Sequence, residues 1–447
     1  MPGLTESQIT GLKTLFAVAN DQVVRSIEAA LAEDAGRGGA IAAVHGMAAR
    51  EAAERKLRAL VLGPVIPLCR PSSWSAVSFP AKTPALLWAA LRESEPERVA
   101  AAAAVAEAPP PKDPDEPPSS ILDELCHAAA QGLRSEAPAF QAANTLLNGA
   151  LKDGGALFAS YLDLSPIARS AIARLPEWVI RMTDERAAAA RLAYKDAVAL
   201  SDDAGPQLFE ILFAQLPEPW QILRVMSAIM DHPGDRYVAA SELSRFGEYL
   251  LADIDKRLAA FKAFDAGLGA EAGAAAADSL ALAAQQIAEF ETAMELSRDG
   301  PWGARIAQHR QLLAGLAEAR LEQIEKAIDQ ALPLRMVRLG KGLKGLPNLR
   351  ADPDPAALRR AEGLMAFFDR SRSSAGQSGY GSARAKVGEM LGDRLDHYVE
   401  DLLEMLRADD VDSVERIHAY LEVAAVFTGQ ARDEKAAQIV RRRAAAA

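Results

Sequence analysis

Between Leu243 and Phe261 the large apolar residues recur as Leu243, Phe246, Leu250, Ile254, Leu258 and Phe261. Steps of three and four put all six on one face of a helix. Glu248, Asp255 and Lys256 fall well off that face. Arg257 falls close to it, where its stem would run along the apolar surface with its head in water. A second stripe follows at Leu280, Ala283, Ile287, Phe290 and Met294, suited to antiparallel packing on the first. A third helix is expected from Ile306 to Leu332, with Leu321, Ile324 and Ile328 on one face and Glu322 and Lys326 spaced as an ion pair. Helices of roughly 25 residues, each roughly 40 Å long at ~1.5 Å rise per residue, predict a long three-helix bundle over residues 235–333.

Helical signals continue on both sides. Thr5 and Gln8 form a capping-box pattern that opens a helix expected to reach Leu31. Another is expected from Gly39 to Leu62, and further ones after Thr83 and after Ser94-Glu95-Pro96-Glu97. The segment between them holds five prolines from Pro64 to Pro84 among Val65, Ile66, Leu68, Trp74, Val77 and Phe79. It reads as a buried irregular loop. Residues 108–119 carry six prolines and four charged residues and read as a semi-rigid linker. They separate a mostly helical N-terminal module, residues 1–107, from a helical subregion over 120–234. Within that subregion Leu175-Pro176-Glu177-Trp178 and Leu216-Pro217-Glu218 both resemble proline-opened helix starts. Their spacing of about 40 residues hints at paired-helix repeats, of which at least three are needed for an array.

Beyond the bundle, residues 334–355 form a basic connection: Arg335, Arg338, Lys341, Lys344 and Arg350 occur with no acid before Asp352. A C-terminal helical region over 356–447 includes a flexible serine-glycine loop, helices Lys386–Arg407 and Val411–Thr428, and a basic, alanine-rich tail. The fold class expected is all-α, an elongated multi-helix bundle or helical array with a small N-terminal helical module.

Composition agrees with that reading and narrows function. Alanine is abundant and aromatics make up 6%; alanine and leucine lose little entropy in a helix. A net charge of -11 argues against general nucleic-acid binding, which depends on neutralising phosphates. Cys69 and Cys126 alone make neither a disulfide framework nor a zinc cluster. The N-terminus lacks the basic and apolar regions of a signal peptide, and the apolar run from Ala59 to Cys69 is too short and too proline-broken to span a bilayer. A cytoplasmic location is expected.

Candidate chemistry is sparse. Gly340-Lys341-Gly342-Leu343-Lys344-Gly345 fits G-x-G-x-x-G, but Pro347 follows and no βαβ pattern surrounds it. A basic, apolar hinge able to meet an anionic surface is the more physical reading, set against cations that balance the chain's own acids at Glu400, Asp401, Glu404, Asp409, Asp410 and Asp412. Glu124/His127 and Glu415/His418 have Glu-x-x-His spacing without the further carboxylates a di-metal bundle needs. His397, Glu400, Asp401 and Glu404 share a helix face that reads as solvated. Asp231-His232-Pro233-Gly234-Asp235 reads as a turn between two helical subregions. No catalytic residue, metal or cofactor is assigned.

The function expected is a non-enzymatic scaffold or adaptor that takes partner proteins in apolar grooves or on helix faces. Its candidate anchors are Trp178, Trp220, His232, Tyr237 and Phe246, since large aromatics form binding hot spots. Arg335, Arg338, Lys341, Lys344 and Arg350 are candidates for contact with an anionic surface. Two alternatives stand beside this: an all-helical enzyme with a metal or acid/base site at Asp231/His232/Asp235 or His397/Glu400, and a peripheral membrane protein using residues 335–350. A homo-oligomer is compatible with each.

Overall fold

The Thr5 hydroxyl accepts the Gln8 amide at 3.3 Å while the Gln8 side chain accepts the Thr5 amide at 2.9 Å, so the capping box closes and opens α1 (Glu6–Val18). The computed structural model describes residues 4–33, 38–70, 77–107, 120–230, 233–339, 342–408 and 414–447. One helix to Leu31 was expected; instead the chain extends at Ala19, and Asn20 caps a separate helix, α2 (Asp21–Leu31), through the Val23 amide. Asparagine competes well as a cap and poorly inside a helix, which places the break there. Arg55 on α3 (Gly39–Leu62) donates to the Phe16 and Ala19 carbonyls at 2.6 and 2.9 Å and pairs with Asp21 and Glu51. One guanidinium thereby satisfies two carbonyls at the C-terminal end of α1.

Residues Met1–Asp231 form one compact unit and His232–Ala447 a second. Among the described residues the chain folds as twenty α-helices and one two-stranded hairpin, so it is all-α.

In the first unit, α3 is followed by α4 (Thr83–Ser94), α5 (Pro96–Glu107) and α6 (Ser120–Arg134). The described part of the proline-rich segment is a buried irregular loop. Its 3-10 turn at Ile66–Cys69 accepts the Phe79 amide, and the Phe79 ring meets Phe158 edge-on at 4.7 Å. Trp74 and the linker at 108–119 lie outside the described residues. Then come α7 (Gln141–Ala150), α8 (Gly154–Asp163), α9 (Ser165–Ile180), α10 (Asp184–Val198), α11 (Ala204–Gln215) and α12 (Ile222–Ile229). Every residue of α11 from Ala204 to Phe213 is buried, with α8, α9 and α10 packed round it. Its one acid, Glu210, receives the Tyr161 hydroxyl, so the buried carboxylate is partnered.

The two proline motifs adopt unlike structures. Pro176 lies inside α9, a helix already opened at Ser165-Pro166, and the flanking Leu175 and Trp178 are buried. That packing outweighs the roughly 3 kcal/mol an internal proline costs. Pro217 instead follows the end of α11 and precedes a 3-10 turn at Pro219–Gln221. They are not copies of one helix opening.

The second unit opens with α13 (Asp235–Val238), then α14 (Ser244–Lys262), α15 (Ala270–Ala293) and α16 (Gly303–Ala331), which pack on one another. All eleven stripe residues of α14 and α15 are buried, counting Leu243 and Met294 at the helix ends, as are Leu321, Ile324 and Ile328. Arg257 lies along the helix and pairs with Asp253 one turn earlier. A fourth helix, α17 (Pro355–Arg370), packs on both α15 and α16 and completes the bundle. Its approach to α15 is backbone on backbone. A Cβ at Gly273 would overlap the Gly363 carbonyl oxygen, and one at Gly363 would overlap that of Ala266. The unit ends with α18 (Gly381–Arg407), α19 (Val414–Ala431) and α20 (Glu434–Ala446). The tail is therefore a helix, capped by Asp433 and held by Arg441–Glu422 and Arg443–Glu400 pairs. The serine-glycine segment is not a loose loop either, since Ser371, Ala375, Ser378 and Tyr380 are buried.

Both thiols are interior. Burial pushes Cys69 up to about 12 and Cys126 up to about 11. The native chain should therefore give no reaction with a disulfide reagent at neutral pH, and two equivalents after unfolding. The sign for stability follows: an unfolded thiol ionises near its ordinary value while the folded one stays protonated. Stability is thus lost as pH rises from about 9 toward 11 and 12.

Candidate protein-docking surface

The basic segment is not a hinge but a β-hairpin, β1 (Leu334–Leu339) paired antiparallel with β2 (Gly342–Pro347). Residues directly opposite share a face. The register Leu334↔Pro347, Met336↔Gly345 and Arg338↔Leu343 therefore collects three large apolar side chains and one arginine on one side. On that side Leu334 is 40% exposed, Met336 64% and Leu343 70%. Gly345 leaves room for the Leu334 and Met336 side chains to lie across it at 3.1 and 3.7 Å from where a Cβ would stand. The other face carries Arg335, Val337, Lys344 and Leu346. There Lys344 reaches Asp401 of α18 at 2.7 Å, and α18 packs on β2. The Asp401 carboxylate raises the Lys344 ammonium above its usual range.

The hairpin's backbone has an open edge. The Asn348 amide donates to the Pro333 carbonyl at 2.9 Å, which makes 333 and 348 a hydrogen-bonded pair. Hydrogen-bonded and open pairs alternate in an antiparallel ladder. Pairs 335–346, 337–344 and 339–342 are thus the bonded ones, and Leu334, Met336 and Arg338 turn their N–H and C=O groups outward. Among the described residues the sheet has two strands, so β1 forms an edge.

The cations divide. Lys344 is used to neutralise an acid of its own chain, whereas Arg335, Arg338 and Arg350 are exposed and make no ion pair among the described residues. Lys341 lies outside the described residues, as do Asp409, Asp410 and Asp412. Of the G-x-G-x-x-G match, Gly342 to Gly345 lie in a strand and no helix opens before Pro355.

The aromatic candidates are placed differently from one another. Trp178 and Trp220 are in the core of the first unit at 2% and 7% exposure, and Phe246 is fully buried in the second. Tyr237, on α13, is 70% exposed. His232 lies outside the described residues.

Several of the groups read as candidate acid/base or metal chemistry are engaged in structure, while Asp231 lies outside the described residues. His127 contacts Asp163 at 3.3 Å, and Asp163 also holds Arg134. His397 Nδ1 meets the Asp393 carbonyl at 2.6 Å, Glu400 pairs with Arg443, and Asp401 pairs with Lys344. Asp235 is fully buried and accepts the amides of Ser297 at 3.3 Å and Gly303 at 3.1 Å. A cluster the sequence reading did not single out joins α14 to α16: Asp255 accepts His309 at 2.6 Å and Arg305 at 3.3 Å, and Glu248 accepts Trp302 and Arg305. Periodicity put Glu248 and Asp255 off the apolar face and gave no sign that a neighbouring helix would meet them. Among the described residues no three His, Cys, Asp or Glu side chains converge as a metal site. No helix there is long and apolar enough to cross a membrane. A cleft of about 640 Å³ beside the start of α17 is lined largely by Asp265, Gln330, Asp354, Arg359 and Arg360. Such a polar lining differs from the apolar pockets that hold most small ligands. No family model, no curated protein and no solved structure matches the chain.

Proposed function

We propose that the chain is a non-enzymatic helical scaffold or adaptor that binds partner proteins through exposed apolar surface on its helical units. The observation that carries this reading is the gathering of Leu334, Met336 and Leu343 on the outward face of the hairpin. Single exposed apolar residues are ordinary, whereas a contiguous patch with a polar rim marks interaction surfaces. Here Arg338 on the same face supplies the polar border. The holding of His127, Asp235, His397, Glu400 and Asp401 in intramolecular contacts adds to it.

The test is chemical cross-linking in native extract followed by mass spectrometry on the tagged chain. The expected result is one or more partners recovered in fixed ratio, with cross-links at Lys344. Met336→Glu with Leu343→Glu should lower that recovery by about tenfold while leaving the thermal transition within roughly 1 °C, because both side chains are exposed. Recovery of this chain alone, together with measurable turnover of a small molecule, contradicts the reading.

A further inference from the structure

We infer that the outer edge of β1 takes an extended acidic peptide of a partner protein as a third strand, with acidic residues three positions apart and apolar residues between them. This rests on the scaffold reading and assigns its docking site. Three observations carry it. The outward N–H and C=O groups of Leu334, Met336 and Arg338 form a strand edge unpaired among the described residues, which is a ready template for strand addition. Leu334 and Met336 offer exposed apolar contact on one face of that edge. Arg335 and Arg338 lie on opposite faces of the same strand, exposed and without an ion pair among the described residues, in a segment that has no acid from 332 to 351.

The register dictates the ligand's pattern. Residues facing Arg338, Val337, Met336, Arg335 and Leu334 in an added strand would be acidic, apolar, apolar, acidic and apolar. Cross-strand pairs of opposite charge and of apolar side chains are the favourable ones. The same cations and apolar groups could meet an anionic lipid surface, but the backbone edge decides between the two. Unpaired amides and carbonyls entering a bilayer would be left without partners, whereas an added strand satisfies them.

The experiment uses the full chain and a fluorescein-labelled peptide containing Glu-Val-Val-Glu-Val, read by fluorescence anisotropy. The expected result is saturable binding that weakens at least tenfold from low to high salt, as the Debye length shortens from about 30 Å at about 0.01 M to about 3 Å at about 1 M and screens the exposed charge contacts. A control with adjacent acids, Glu-Glu-Val-Val-Val, should bind about tenfold more weakly, since only one acid can then meet an arginine. Met336→Pro removes an outward amide without touching a ladder bond, and Arg335→Glu with Arg338→Glu reverses the charge; each should lose tenfold or more. Two peptides N-methylated at alternate residues separate edge pairing from any folding defect in the variants. One methylation register should abolish binding and the other preserve it, because only alternate amides of an added strand face its neighbour.

No saturable binding overturns the inference, as does equal binding of both methylated peptides or unchanged binding by Met336→Pro. Binding to phosphatidylserine vesicles with the peptide ignored overturns it in favour of a lipid surface. Partners recovered from extract equally by wild type and Met336→Pro leave the scaffold reading standing and remove this site from it. Recovery of no partner by either takes down the scaffold reading itself.

Discussion

Valine at Gly273 should cost the second unit about 3 kcal/mol, and alanine there should already destabilise it. Helix propensity alone predicts the reverse, because replacing a mid-helix glycine by alanine normally gains about 1 kcal/mol. The contact decides the sign. A Cβ at Gly273 would overlap the Gly363 carbonyl oxygen, which is backbone and cannot rotate away. α15 and α17 must therefore move apart, opening the tightest seam of the bundle, and overpacking of this kind costs about 1–3 kcal/mol. Gly315 supplies the internal control: it lies in α16, exposed, with nothing within 4 Å of its Cβ position. Gly315→Ala should stabilise by roughly 0.5–1 kcal/mol. Thermal unfolding of the two alanine variants tests the pair, and equal signs would contradict the close approach.

The second large effect is expected at Asp235. Its carboxylate is fully buried, takes the Ser297 and Gly303 amides, and fills the space over Gly300 where a Cβ would clash. The Asp235 amide in turn donates to the Glu295 carbonyl at 3.1 Å, and the Glu295 amide to Pro233 at 3.2 Å. One side chain thus ties the start of the unit to the turn before α16 and satisfies an amide of that helix's first turn. Asp235→Ala leaves those two amides, one of them the capped amide of α16, unpaired at about 1–3 kcal/mol for each buried donor. The sum of about 3 kcal/mol corresponds to a fall of roughly 6–12 °C in a unit of this size. Asp235→Asn keeps one acceptor oxygen and should lose about half as much. If Asp235→Ala leaves the transition unmoved, the residue is not the tie described, and a reactive role for it regains interest.

What could be read from the sequence follows the physics of each element. The stripe from Leu243 to Phe261 became a buried face because burying large apolar side chains leaves a helix little choice of orientation. The Thr5–Gln8 box is legible for the same kind of reason, being a local arrangement of four groups. Pro176 was misleading because a proline's local preference is overridden when its neighbours Leu175 and Trp178 are buried. The aromatics show the limit most clearly. Phe246 sits on the periodic stripe, but nothing in their spacing separates the buried Trp178 and Trp220 from the exposed Tyr237, since burial is decided by helices far away in sequence. The hairpin is poorly legible in the sequence because β2 reads Gly-Leu-Lys-Gly-Leu-Pro, and glycine and proline are poor strand formers. One signal was present: two six-residue runs separated by Gly340-Lys341, a two-residue connection with glycine first, as hairpin turns prefer.

Amide hydrogen exchange across residues 333–348 tests the docking site most directly. In the free chain the amides of Arg335 and Val337 should be protected by the ladder, while those of Leu334, Met336 and Arg338 exchange at rates close to open chain. Saturating the Glu-Val-Val-Glu-Val peptide should slow the second set by at least tenfold and leave the first set protected. Protection of Leu334, Met336 and Arg338 already in the free chain, or no change in them at saturation, would contradict the account of β1 as an open edge that receives a partner's strand.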